Sequence, residues 1–322
     1  MSNNNNKMEW ICYLMISNHM WDDEFTPPRY HNMPPRYNPE NINDMSFWDE
    51  IIKFLSERKY TAVFIEVGDG VVLDMHPEIA APNAWSKAEL KEVLKKFHDV
   101  GIKTWPRMDF STAHDTWTQE YRYKLCSPEY YQFVGDVIDE ICEIFETPYC
   151  FDIVMDEENY ENQVYRGMAR IRHAHLYWHD VHFMIDRVEK NGVRASMAAD
   201  YFWHHEEEFA ANVPKSVLVR NWYYDFFKDW PVDNYNYPGM HAYRKLEELG
   251  YDQLCACSTW LRNENPEQTV VNVSKTIAPE RLKGFVTLLW CTMHWDNEYY
   301  LKNDIHQLYL ARKKYYPETL ED

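Results

Sequence analysis

Eight short apolar runs recur along the chain, each followed by a segment with helical spacing. They fall at residues 10–16, 62–67, 102–108, 151–155, 194–199, 216–220, 253–257 and 285–289. Runs this short suit buried strands better than helices. A crossover helix between successive strands returns the chain to the same end, so the strands are parallel. Eight such units close into a (β/α)₈ barrel of the α/β class, and 322 residues suit one barrel with long βα loops. The barrel is expected over residues 10–318. Residues 1–9, opening on an asparagine run, are expected to be a disordered tail.

Local signals agree with this alternation. Ser86-Lys87-Ala88-Glu89 is a capping box that opens a helix ending near Gly101, and Ser127-Pro128 starts another. Gly250 stops a helix, and Asn265-Pro266 opens the next. Residues 160–190 read as one long amphipathic helix or a helix pair. Residues 21–43 form a loop with Pro27-Pro28, Pro34-Pro35 and Pro39, and loops of that length in compact domains are usually functional.

A barrel of this type carries its site at the strand C-termini. The residues at those ends are Asn18, His19, Asp69, Asp109, Asp156, Glu157, Asp200, Trp222, Trp260 and Trp290, with His114 and Tyr224 in the adjoining loops. The fourth run is the most informative. Ile153-Val154-Met155 reads as a buried strand that breaks into Asp156-Glu157-Glu158. Acids crowded at the mouth of a strand repel one another, so one holds its proton near neutral pH, as a general acid must. The plainer alternative is an acidic start to the following helix. Asp109 and Asp200 are candidates for a second carboxylate, since glycosidase chemistry usually uses two.

Composition narrows the partners. Lys and Arg number 33 against 52 Asp and Glu, a net charge of −19 that repels nucleic acid and anionic membrane. The 13 Trp and 24 Tyr exceed what a core needs and suit a site that stacks sugar rings. The seven cysteines show no paired spacing, and Cys255 and Cys257 lie too close along one strand for a normal disulfide. His173, His175, His179 and His182 lack a zinc-protease pattern and fall on an outer helix, so no metal or cofactor is expected. His204-His205 is expected to be structural. The polar start implies a cytoplasmic protein, or an exported one whose leader has been removed.

Taken in order, these pieces resemble the β-N-acetylhexosaminidases of glycoside hydrolase family 20. Residues 85–109 are similar to that family's helix and third strand, which ends Pro-Glu-x-Asp. Residues 133–157 are similar to its helix and His-x-Gly-Gly-Asp-Glu strand. Ala199-Asp200, Asn221-Trp222, Gly250-Tyr251-Asp252 and Leu289-Trp290 fall where its later strand-end motifs lie. The resemblance implies that Asp156 orients a substrate 2-acetamido group, whose oxygen attacks the anomeric carbon, while Glu157 is the general acid/base. Val154 and Met155 stand where the family has glycines, and Asn18 and His19 where it has an arginine. Trp260 lies nearest to its acetamide-holding tyrosine.

The expectation is an exo-acting glycoside hydrolase with Asp156 and Glu157 at its centre. Asn18, His19, Asp109, His114, Asp200, Trp222, Tyr224, Trp260 and Trp290 would bind a carbohydrate substrate. Three alternatives stay open. One is a glycosidase of other specificity that pairs Glu157 with Asp109 or Asp200. The others are a non-catalytic carbohydrate-binding barrel and a metal-dependent hydrolase built on rim Asp and His.

Overall fold

The computed structural model describes residues 8–17, 19–20, 40–160, 162–163 and 172–321. Asn18, most of the tail and residues 21–39 of the long loop lie outside the described residues. Eight strands, β1 (Glu9–Met15), β2 (Ala62–Glu66), β3 (Lys103–Arg107), β4 (Cys150–Asp152), β5 (Arg194–Ala198), β6 (Leu218–Trp222), β7 (Gln253–Cys257) and β8 (Leu282–Thr287), stand in sequence order. The sheet closes where Trp10 pairs with Phe285, and every pairing is parallel. A helix follows each strand: α1 (Met45–Glu57), α2 (Lys87–Asp99), α3 (Pro128–Ile144), α4 (His175–Lys190), α5 (Glu206–Asn212), α6 (Tyr237–Glu248), α7 (Asn265–Val273) and α8 (Glu298–Tyr315). This is a (β/α)₈ barrel.

Two apolar layers hold it together. Alternate strand residues such as Trp10, Cys12, Leu14, Val63 and Ile65 face the ring of helices. Their neighbours Ile11, Tyr13, Met15, Phe64, Trp105, Leu218, Leu254, Ala256 and Val286 fill the barrel interior. The capping box at Ser86 forms as the sequence implies, and Ser127 caps α3 with Pro128 in its first turn.

The fourth unit departs from expectation. The strand is Cys150–Asp152, and the buried run Ile153-Val154-Met155 lies beyond it. Val154 and Met155 have φ of 62° and 59°, in the left-handed region, which cannot continue a strand. For residues other than glycine this costs roughly 1–2 kcal/mol each. The twist carries the chain over the barrel mouth, so that Asp156 and Glu157 need not point to opposite faces as strand neighbours would. Two smaller differences concern the rim. Asn221 and Trp222 end β6 rather than follow it, and Trp290 lies past the end of β8.

Candidate active site

The floor of the site is polar. In β2, β3 and β4 the inward position nearest the rim is ionisable, Glu66, Arg107 and Asp152, and in β6 Arg220 lies one inward position below Trp222; each of the four is at most 2% exposed. Barrels usually fill such layers with branched apolar side chains. Arg107 Nη1 donates to Glu66 and to the Tyr13 hydroxyl (3.1 Å), and its Nη2 to Asp109 Oδ2 (3.3 Å). Arg220 Nε donates to Asp152 Oδ2 at 2.8 Å. Burial of ionic groups is tolerated when they are paired in this way.

Above the floor, the loops after β3 and β4 meet on His114. Its Nδ1 lies 2.9 Å from Asp156 Oδ1 and 3.1 Å from Asp109 Oδ2, and its Nε2 lies 3.3 Å from Glu157 Oε2. The Ser111 hydroxyl lies 2.5 Å from Asp109 Oδ1 and 3.2 Å from Asp156 Oδ1, within donating distance of both. Asp200 Oδ2 accepts the Glu157 backbone N–H at 2.6 Å, which fixes the left-handed turn at Glu157 (φ 54°). Asp156 and Glu157 remain partly open, their side chains 14% and 19% exposed.

Electrostatics separate these acids. Burial disfavours a charged His114, but the Asp156 and Asp109 carboxylates outweigh it and raise its pKa well above the usual imidazole value. Burial likewise works against the Asp156 anion. The His114 charge and hydrogen bond, with Arg107 and Arg220 beyond, more than offset it and hold Asp156 below the usual carboxylate range. Asp200 goes the other way: burial first, then the Asp156 and Glu157 charges, push it well up. The surroundings thus favour the ionised form of Asp156 and the protonated form of Asp200.

The aromatic residues gather on the opposite side. Trp222, Tyr224 and Trp290 pack on the inner core. Trp222 stacks on Tyr224 with ring centroids 5.3 Å apart, Tyr224 meets Trp290 edge-on at 5.6 Å, and Trp290 meets Trp260 at 4.9 Å. Trp203 extends the wall against Trp222 at 4.4 Å. At the β1 end, His19 Nδ1 lies 2.7 Å from Asp69 Oδ2, while the Ser17 hydroxyl donates to Asp69 Oδ1 at 2.5 Å. Gly68 and Gly70 allow this contact, since a Cβ on either would lie within 2.8 Å of Ser17 or Ile16.

A second buried group ties the loops after β3 and β4 together. Arg172 Nη2 donates to the Phe110 carbonyl (2.7 Å) and to Glu158 Oε2 (2.6 Å), and its Nη1 to Asp180 Oδ2 (3.1 Å). Glu158 Oε1 in turn accepts the Thr112 N–H at 2.8 Å. Glu158 therefore braces the His114 loop rather than joining Asp156 and Glu157 at the opening.

Sequence reasoning located the acids and the aromatic wall. It missed Ser111, Arg107, Arg220, Asp152 and Arg172. A charged residue at an inward strand position is a readable signal for Arg107, Asp152 and Arg220; Ser111 and Arg172 carry none. His114 was expected to bind substrate, but carboxylates lie against both of its ring nitrogens. His173, His175, His179 and His182 are exposed. The ligating atoms of Asp109, His114 and Asp156 lie within 4.8 Å of one another, close enough to hold a metal ion. A metal would require Nδ1 to give up the proton that the two carboxylates hold there. All seven cysteines are free thiols, and no helix among the described residues is long and apolar enough to cross a membrane.

No protein-family model and no curated protein matches the chain. Solved structures do. The β-N-acetylhexosaminidase of glycoside hydrolase family 20 from Streptomyces coelicolor superposes with a TM-score of 0.64 at 12% identity, covering 94% of this chain and 64% of that one. A catalytic module of the pneumococcal exo-β-D-N-acetylglucosaminidase gives 0.62 at 13% identity, covering 98% and 89%. The exo-β-N-acetylglucosaminidase of Vibrio harveyi, solved with N-acetylglucosamine, gives 0.56 at 12% identity, covering 98% and 58%. The chain thus spans little more than half of the Vibrio enzyme's length. The fold of this chain is that of the family 20 catalytic barrels.

Proposed function

We propose that the protein is an exo-acting glycoside hydrolase of the β-N-acetylhexosaminidase type. One observation carries the reading: Asp156 is ionised beside Glu157 at the barrel mouth, while the other rim carboxylates are already engaged. Asp109 is held by Arg107, Ser111 and His114, and Asp200 accepts the Glu157 backbone N–H with its pKa pushed up by burial, so neither is a ready nucleophile. Asp156 Oδ1 is taken by His114 and Ser111, and its Oδ2 makes no hydrogen bond among the described residues. That open oxygen suits the N–H of a 2-acetamido group.

In the first step the acetamido oxygen forms a bond to the anomeric carbon as the bond to the leaving oxygen breaks. Glu157 gives its proton to that oxygen. Asp156 holds the amide N–H and balances the positive charge that spreads over the cyclic intermediate. In the second step Glu157 takes a proton from water, which opens the ring with net retention. The aromatic wall of Trp222, Tyr224, Trp260 and Trp290 offers flat faces for one terminal sugar ring. His19, steadied by Asp69, lies at the β1 end of the same rim and suits a sugar hydroxyl.

The test is a panel of aryl glycosides with and without the 2-acetamido group, together with inhibition by a thiazoline analogue of the cyclic intermediate. Tight thiazoline binding that is lost in Asp156→Ala is expected. Hydrolysis of glycosides lacking the acetamide, with no thiazoline binding, would refute substrate assistance. The metal cluster geometry favours one other reading, metal-dependent hydrolysis, and metal analysis with chelator treatment separates the two.

A further inference from the structure

This inference rests on the reading above. Asp156 accounts for one polar end of an acetamide, the N–H; the carbonyl oxygen needs a donor, and β6 supplies one. Arg220 lies on the inward face of that strand, between Leu218 and Trp222, and is 2% exposed. Its Nε is used by Asp152, but its Nη2 is buried with no hydrogen-bond partner among the described residues. Folded proteins seldom leave a buried N–H unmatched, and a buried orphan donor in a site's floor points to a ligand acceptor. Arg107 differs at its fork: both terminal nitrogens are bound by Glu66, Tyr13 and Asp109, and its unmatched nitrogen is the inner Nε, 3.6 Å from Asp152 Oδ2.

The surroundings say what kind of acceptor fits. Arg220 pairs with Ala198 on β5 and with Leu254 on β7, so the flanking inward position on the β5 side is small. Arg107, Arg220 and His114 face the carboxyl groups of Asp109, Asp152 and Asp156. Burial lifts the Glu66 carboxyl to about 8 against the pull of Arg107, and burial with the Asp156 and Glu157 charges lifts that of Asp200. With Asp109, Asp152, Asp156 and Glu157 crowded around the same opening, an uncharged oxygen fits there better than a carboxylate or phosphate.

We propose that Arg220 Nη2 donates a hydrogen bond to the acetamido carbonyl oxygen of the bound sugar, and that this contact selects 2-acetamido sugars. Asp156 and Arg220 then grip the two ends of one amide. Arg220 occupies one lone pair of the carbonyl oxygen and leaves the other directed at the anomeric carbon. The contact is present before and during ring closure, so its loss falls on binding more than on turnover.

The test compares the wild type, Asp152→Asn and the double variant Asp152→Asn with Arg220→Met, which removes the guanidinium without stranding a buried anion. Affinities for N-acetylglucosamine and for glucose are read from tryptophan fluorescence, with kcat and KM on an aryl N-acetyl-β-glucosaminide. The double variant should lose N-acetylglucosamine affinity by about ten- to a hundredfold while glucose affinity holds, and KM should rise more than kcat falls. Asp152→Asn alone should keep the preference. An unchanged ratio of the two affinities in a folded double variant overturns the proposal, as does an equal loss for both sugars. If the double variant does not fold, Arg220→Lys keeps the charge but not the planar fork, and the same ratio should fall. A wild type that binds and hydrolyses no N-acetyl sugar overturns the hydrolase reading and this inference together; an active wild type with an unmoved ratio overturns this inference alone.

Discussion

Replacing Glu157 with Gln isolates proton donation from everything else the residue does. Its Oε2 lies 3.3 Å from His114 Nε2, and its backbone N–H is held by Asp200. A glutamine keeps both contacts, since its carbonyl oxygen accepts from the protonated imidazole and its amide occupies the other oxygen's place. The fold should therefore be unchanged, and what is lost is the transferable proton. General acid catalysis contributes roughly 10²–10⁴-fold, or about 2.7–5.5 kcal/mol of barrier. The full loss is expected for an alkyl or sugar leaving group, which departs poorly as an anion. With a dinitrophenyl leaving group, which needs no proton, the loss should nearly vanish. The assay is kcat/KM for wild type and Glu157→Gln across aryl glycosides of graded leaving-group pKa. The variant's plot should be steeper, and the basic limb of its pH profile should disappear. A loss of equal size for every leaving group, or near wild-type turnover with the poorest, would refute the assignment of Glu157 as the acid.

Three further outcomes follow from the geometry. His114→Ala removes the cation that keeps Asp156 ionised, so the pKa of Asp156 should rise and the acidic limb of the kcat/KM profile should move to higher pH. Asp304 is buried in α8, where it accepts from Thr259 and Thr287, and burial pushes its carboxyl up to about 6. A folded pKa above the unfolded one contributes stability that is present below about pH 4 and lost as pH rises through about 6; at roughly 1.4 kcal/mol per unit this is on the order of 3 kcal/mol. Urea unfolding between pH 4 and 7 should show that slope in the wild type and a flatter one in Asp304→Asn. Arg172→Met leaves Glu158 and Asp180 buried without their cation, and a loss of about 3–5 kcal/mol in urea unfolding is expected.

The barrel and the position of its acids are legible in the chain because they rest on local periodicity. Strand-length apolar runs alternate with helical segments, and Asp156-Glu157 ends the fourth run wherever its strand is drawn. The error at residues 153–155 has a physical cause. Val154 is a strong strand former, and only a tertiary demand for a left-handed turn at the barrel mouth sets that preference aside. Nothing in the residue itself announces the turn.

Sequence alone determined the (β/α)₈ architecture, the acidic rim at strand four and the tryptophans at the ends of the later strands. Tertiary structure decided how the rim acids divide their work. Asp109, Asp156 and Asp200 are the same residue type at three strand ends, yet one is saturated by Arg107, Ser111 and His114, one has its pKa pushed down and one has its pKa pushed up. That division depends on which cation, hydroxyl and amide each carboxylate meets across the barrel. The partners of Asp109 lie on its own strand and loop, but Asp156 and Asp200 meet theirs 42 and 43 residues away, and a local pattern carries no record of those. The floor follows the same logic: Arg220 on β6 and Asp152 on β4 are 68 residues apart and become partners only when the sheet closes.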